Sequence, residues 1–213
     1  MMLPWPWAKF EWRAVCAERC TYGSGRRSAN ALLTPLKVIG WGWFYLSTVL
    51  DDFSRYIIAW KLCSGMAASD VQDTLDLALE ASGLDEVNVV HRPRLLSDNG
   101  PSYISGDLAE YLAGKGMTHT RGAPYHPQTQ GKIERWHQTL KNRILLENYF
   151  LPEDLEAQID AFIGYYNYRR YHESLDNLTP ADVYTGRGQT ILLERVSMIT
   201  ETGPRFLVQK GPL

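Results

Sequence analysis

Leu95-Leu96-Ser97-Asp98-Asn99-Gly100, followed by Tyr125-His126-Pro127-Gln128-Thr129-Gln130-Gly131-Lys132-Ile133-Glu134-Arg135-Trp136, is the part of the chain whose reading decides the fold. An apolar pair, an aspartate and an Asn-Gly turn signal place a carboxylate at the end of a short strand. Open α/β sheets bind their ligands beyond such strand ends. Downstream, Ile133, Trp136, Leu140 and Ile144 fall at i, i+3, i+7 and i+11, one apolar stripe of a helix. Glu134, Gln138 and Lys141 share a neighbouring stripe at i, i+4 and i+7, which sets an acid beside a base away from the core. Taken alone, Asp98 reads as a turn residue and Glu134 as a solvated helix acid.

Working outward, Trp43 to Leu50 is dense in aromatic and β-branched residues and predicts a strand. Asp51-Asp52-Phe53-Ser54 is a turn, and Tyr56 to Leu62 the returning strand. Ser69 to Ser82 predicts a helix, with Ser69 and Gln72 as a capping box and Gly83 at the left-handed stop. Its buried stripe is Val71, Leu75, Ala78 and Leu79. Arg94 to Asp98 lacks alternation, as a strand buried on both faces does. Ser105 to Gly116 reads as a helix with Leu108 and Leu112 inward, and Met117 to Arg121 as a short strand. Gly122 to Gln130, with two prolines and no period, reads as a loop beside the helix of Glu134. Pro152 opens a further helix with Leu155, Ile159, Phe162, Ile163 and Tyr166 inward. Glu153 and Asp154 suit its positive end, and Arg169 and Arg170 its negative end. Thr179, Pro180 and Asp182 predict a short capped helical turn. Hairpin, helix, strand, helix, strand and then helices is the order of an α/β mixed sheet covered on both faces.

The chain has 213 residues and a net charge of −2, so overall balance does not announce a nucleic-acid binder. The local balance does. From Lys115 to Asn148 six bases face two acids, a local excess of four positive charges. Cys16, Cys20 and Cys63 make an odd count with no disulfide or zinc spacing, which reads as free thiols of a reducing, cytoplasmic protein. No stretch reaches the length of a membrane span, and Met1 to Trp7 is a poor signal peptide. Residues 1–35 read as a basic, weakly structured arm that could hold DNA phosphates or be an unstructured tail. Residues 195–213 read as a tail.

Thirty-five residues separate Asp98 from Glu134. With that spacing and the strings Ser97-Asp98-Asn99-Gly100 and Gly131-Lys132-Ile133-Glu134-Arg135-Trp136-His137-Gln138-Thr139-Leu140-Lys141, the chain resembles the catalytic core of insertion-sequence transposases. These are relatives of the retroviral integrases in the DDE superfamily. The resemblance runs from Leu36 to about Glu194, so residues 36–194 are expected to form that core. It implies a ribonuclease H-like fold and metal-dependent cleavage of DNA ends followed by strand transfer. Both steps are in-line displacements at phosphorus, which two divalent ions about 3.5–4 Å apart can promote. Mg²⁺ or Mn²⁺ is the implied cofactor, held by three carboxylates, of which Asp98 and Glu134 match the second and third.

The first is missing. Counting back from Leu36-Lys37-Val38-Ile39-Gly40-Trp41, its place falls near Leu32, and the chain has no aspartate before Asp51. Asn30 to Pro35 does not resemble the family's strand, and Pro35 would interrupt a ladder unless it lay at an edge. Asp51 and Asp52 are weak candidates for the third ligand and read mainly as turn residues. Lys132, Arg135, Gln138 and Lys141 are candidates for contacting DNA, Lys141 foremost, with Tyr125, His126 and Gln128 in the loop before the helix. Trp136 reads as core, and Tyr165, Tyr166, Tyr168 and Tyr171 as packing residues more than stacking ones.

Three readings follow: a transposase core acting on the ends of its own mobile element and on target DNA; a catalytically dead remnant that binds DNA or pairs with an intact transposase; and an unrelated nuclease of the same fold, which the two strings disfavour. The resemblance implies a multimer and a nucleoid-associated location in a bacterial cytoplasm. Without a helix-turn-helix region ahead of the core, DNA binding is expected to be independent of sequence.

Overall fold

The structure, a computed structural model, describes residues 28–83, 93–122 and 131–201. Five strands form one sheet: β1 (Ser28–Val38), β2 (Gly42–Asp51), β3 (Ile57–Cys63), β4 (Arg94–Ser97) and β5 (Thr118–Arg121). They lie in the order β3-β2-β1-β4-β5. β1 pairs antiparallel with β2, and β2 with β3, whereas β1–β4 and β4–β5 are parallel. The mixed sheet with helices on both faces, expected from the order of elements, is what the chain forms.

The helices are α1 (Ala68–Ser82), α2 (Pro101–Ile104), α3 (Gly106–Gly114), α4 (Gly131–Ile144), α5 (Pro152–Tyr168), α6 (Pro180–Tyr184) and α7 (Gly188–Glu201). Two apolar clusters sandwich the sheet, because side chains alternate across a strand. On one face Leu36 and Val38 of β1 meet Ile133, Trp136, Leu140 and Ile144 of α4 and Leu155, Ile159 and Ile163 of α5. On the other, Ala29 and Ala31 of β1 meet Val71, Leu75, Ala78 and Leu79 of α1 and Leu108 and Leu112 of α3. Each fully buried Leu or Ile contributes about 1.5–3 kcal/mol. Trp136 is core, as read from its place on the stripe, wedged between Phe162 and Tyr166 at ring-centroid distances of 5.6 and 4.5 Å. Among the described tyrosines of α5 and its exit, Tyr166 is buried while Tyr165, Tyr168 and Tyr171 are exposed.

Four expectations change. The first strand does not wait for Leu36. It begins at Ser28 and pairs with β2 through Pro35, which faces Tyr45. The proline is tolerated because β4 pairs only with Ser28–Ala31, so beyond Ala31 β1 is an edge on that side. Residues 28–35 of the expected arm are therefore strand, and residues 1–27 lie outside the described residues. α1 is capped not by Ser69 and Gln72 but by Asp70, whose carboxylate accepts the Ala67 N–H at 2.9 Å. The predicted Ser105–Gly116 helix is preceded by the short α2, with Ser105 capping α3 by accepting the Leu108 N–H. The tail expected from residue 195 instead continues α7 to Glu201, where Arg195 donates to the Asp176 and Asn177 carbonyls. Cys63 is a free, buried thiol, and Cys16 and Cys20 lie outside the described residues. No helix among the described residues is long and apolar enough to cross a membrane.

Candidate active site

Ala31 pairs with Ser97 at the last step of the parallel β1–β4 ladder, and Leu32 and Asp98 each follow one residue beyond it. Aligned residues of parallel neighbours point to one face, and Leu32 packs with the cluster on the α4 side. The position that resemblance assigns to the missing acid is thus one residue past the end of the ladder on β1, as Asp98 is one residue past it on β4.

α4 is anchored to that face at two points. Near its start, the Lys132 ammonium donates to the Asp52 carbonyl and carboxylate at 2.7 and 2.9 Å, and Asp52 also accepts the Asn30 Nδ2–H at 2.8 Å. One and a half turns on, His137 Nδ1 and Thr34 Oγ1 lie 2.6 Å apart. Glu134 falls between these anchors, as Leu32 falls between Asn30 and Thr34. Glu134 is exposed and has no polar partner among the described residues.

Asp98 is set by its loop. Its Oδ1 accepts the Gly100 N–H at 2.8 Å, and a Cβ at Gly100 would come within 2.9 Å of that oxygen, so a side chain there would push the carboxylate aside. Oδ2 has no partner among the described residues. Asn99 Nδ2 and the Ser97 carbonyl tie the loop to Gly122. Tyr103 is buried nearby. Burial first, then the Asp98 charge, push its phenol above the ordinary range, so it stays neutral. Ser97 Oγ lies 2.7 Å from His119 Nε2. Burial, then Arg121, lower the His119 pKa. His137 is held down to about 3 by burial, then by Lys141.

Asp51 and Asp52 do not complete the acid set. Asp51 Oδ2 accepts the Ser54 N–H and Oγ–H at 2.8 and 2.6 Å, the turn role read for it. Asp51 aligns with Ala29, three residues along β1 from Leu32 and on the opposite neighbour from Asp98. That is about 10 Å along the strands and about 10 Å across them, more than two bridged metals span. Asp52 is held by Asn30 and Lys132. No group of three or more His, Cys, Asp or Glu side chains able to hold a metal exists among the described residues. Two carboxylates without a third offer too few oxygens for a two-ion cage, since Mg²⁺ demands near-octahedral oxygen ligation.

Lys132 is not a free cation for phosphate: its charge is directed at Asp52, with the ammonium side chain 43% exposed. Gln138 is bonded to Asn142 at 2.8 Å. Arg135 is exposed and Lys141 half-buried, both without an acid partner among the described residues. Tyr125, His126 and Gln128 lie outside the described residues. Sequence reading missed Asn30, Thr34 and His137, the buried polar groups that lock α4 to β1. Their only signal was two polar residues, Asn30 and Thr34, on the face of β1 that also carries Leu36 and Val38.

Models of the integrase core domain match residues 33–127 and, overlapping, residues 115–180, together more than half of the chain. The Pol-related polyprotein of the mouse intracisternal A-particle is 36% identical over 112 residues, covering 52% of this chain and 12% of that protein. A protein named for the transposase of insertion sequence element IS986/IS6110 of Mycobacterium tuberculosis is 26% identical over 148 residues, covering 67% of this chain and 52% of that protein. The chain thus spans about half of that relative and a small part of the polyprotein. Among solved structures, the catalytic core of BIV integrase superposes with a TM-score of 0.54 at 21% identity, covering 79% of this chain and 99% of that one. The HTLV-2 integrase core in complex with magnesium gives 0.54 at 19%, covering 74% and 95%. At such identities the likeness is one of fold.

Proposed function

We propose, for a chain that belongs to the integrase core domain family, that it is the core of an insertion-sequence transposase which engages DNA but lacks a complete catalytic acid set. The observation that supports the reading is that Leu32 and Asp98 each follow one residue after the last β1–β4 pair, Ala31–Ser97, so that an apolar residue stands where the resemblance calls for a carboxylate. Asp98 and Glu134 are the proposed surviving acids. A divalent ion, when bound in such a site, activates the entering oxygen and stabilises the leaving one. Two carboxylates hold it weakly and leave the reacting groups loosely placed. Errors of about 1 Å cost ~100-fold in rate.

DNA ends and target DNA are the proposed substrates. A second copy of the chain, or an intact transposase, is the proposed protein partner. Binding is expected to be independent of sequence and sensitive to salt, with Arg135 and Lys141 on the exposed side of α4 facing the backbone.

The test is a labelled duplex carrying the element's end, incubated with the protein and Mg²⁺ or Mn²⁺. The unmodified chain gives no cleavage or strand transfer. Leu32→Asp alone restores metal-dependent cleavage, because β1 is already a continuous strand at that position. In parallel, Lys141→Ala shallows the salt dependence of duplex binding. Cleavage by the unmodified chain, abolished by Glu134→Gln, would overturn the incomplete-site reading.

A further inference from the structure

At the far end of the sheet from the β1–β2 hairpin tip, the turn between β2 and β3 meets the end of α5. Asn167, buried in the last turn of α5, bonds both sides of one residue: its Oδ1 accepts the Ile57 N–H and its Nδ2 donates to the Ile57 carbonyl, both at 3.0 Å. This clamp fixes Ile57 against the helix end. Arg55, two residues before Ile57, and Arg170, three residues after Asn167, thereby lie on neighbouring segments of the chain.

The neighbours of the Arg170 guanidinium are aromatic. Arg170 lies over the Tyr166 ring at 5.6 Å, and Tyr166 meets His172 edge-to-face at 5.0 Å. Both arginines act on the same two neighbours. After burial, Arg170 and Arg55 are the charges that lower the His172 pKa, to about 4, and the same pair pulls against burial at Tyr166, which settles at about 12. No acid enters either balance.

Among the described residues, neither guanidinium has a hydrogen bond or an ion pair, although both residues are half-buried. The acids of the adjacent turn are already engaged, Asp51 with Ser54 and Asp52 with Asn30 and Lys132. His172 Nε2 is also buried without a partner. Arg55 holds a left-handed backbone, φ 62°, which an L-residue with a side chain rarely adopts. Arg170 alone could be explained as a cation at a helix C-terminus. That does not explain a second guanidinium brought to it from another element with no counter-charge. Two neighbouring guanidiniums without a counter-charge among the described residues suit an anion.

We propose that Arg55 and Arg170 form an anion site that holds a backbone phosphate of duplex DNA, distinct from the Asp98–Glu134 acids. The planar forks of arginine match the oxygens of a phosphodiester. One phosphodiester charge between two guanidiniums relieves their repulsion. By strand register the site lies at the Asp51 end of β2, two strands away from Asp98, so it engages a different phosphate from the one at the acid pair. The DNA part of this inference rests on the function proposed above; the anion site does not.

The experiment is fluorescence anisotropy of a labelled duplex of arbitrary sequence with the full chain across a NaCl series. Arg55→Asn tolerates the left-handed backbone and is combined with Arg170→Gln. The pair should weaken binding at low salt on the order of tenfold and make the slope of log affinity against log salt shallower by about 1–2. Arg55→Lys with Arg170→Lys keeps the charge and should keep most of the slope. If the neutral pair does not fold, judged by circular dichroism, the lysine pair and Arg170→Gln alone carry the test, with about half the loss expected of the single change. A folded neutral pair with unchanged affinity and slope overturns the site. A parent chain that binds no duplex overturns the DNA reading instead. In that event, a rise in melting temperature with inorganic phosphate in the parent, absent from the neutral pair, supports the anion site, and no rise in either overturns it.

Discussion

Leu32→Asp is the most informative single change, because it should unsettle the protein before it repairs it. Leu32 is partly buried against the α4 cluster, so losing its apolar contact costs about 1–2 kcal/mol. The new carboxylate stands one strand spacing, about 5 Å, from Asp98. At an effective dielectric constant of about 20, two unit charges at that distance repel by roughly 3 kcal/mol. Asp98 is partly exposed, and screening brings this to about 1–2 kcal/mol. The sum, about 2–4 kcal/mol, lowers the melting temperature by about 5–15 °C for a chain of this size. The repulsion raises the folded-state pKa of the new carboxyl above its unfolded value. That part of the penalty is therefore present at neutral pH and fades as pH falls toward ~4. A divalent ion reverses the sign of the argument: at 100 times its dissociation constant it returns about 2.7 kcal/mol. The assay is thermal unfolding of parent and variant in chelator and in Mg²⁺. The variant should melt lower in chelator and regain most of the difference in Mg²⁺, while the parent barely responds. Adding Glu134→Gln to the variant should erase most of the metal response. An equal metal response in parent and variant, or no loss of stability in chelator at pH 7, would refute the register argument.

His137 is neutral in the fold, its pKa depressed to about 3 from 6.5, so its contribution to stability is complete above pH ~6.5 and is lost as pH falls toward 3. Unfolding free energies measured between pH 7 and 4 should fall by up to about 1.4 kcal/mol per pH unit from this group, and His137→Gln should flatten that dependence by about one proton. Asn167→Leu preserves volume but deletes both bonds to Ile57 and leaves that backbone N–H and carbonyl buried and unpaired; chemical denaturation should show a loss of about 2–4 kcal/mol.

The sequence by itself determined the sheet class, the placement of Asp98 at a strand end and Glu134 on a helix, and the vacancy at position 32. Each follows from local order. Alternation and apolar stripes are set by backbone periods of 2 and 3.6, turn residues by allowed dihedrals, and a missing aspartate by inspection. What surrounds those residues was decided only by tertiary structure. Pro35 looked like a break because a lone chain does not reveal that β4 stops pairing at Ala31 and leaves that side of β1 an edge. Lys132 looked free because Asp52 is eighty residues away in the chain. Thr34 and His137, 103 residues apart, become partners only when α4 lies down on β1. The segments of Arg55 and Arg170 become neighbours because one asparagine clamps a strand to a helix end. Hydrogen bonds and charges act over a few ångströms of space, and the chain folds distant residues into that range in ways that no local pattern encodes.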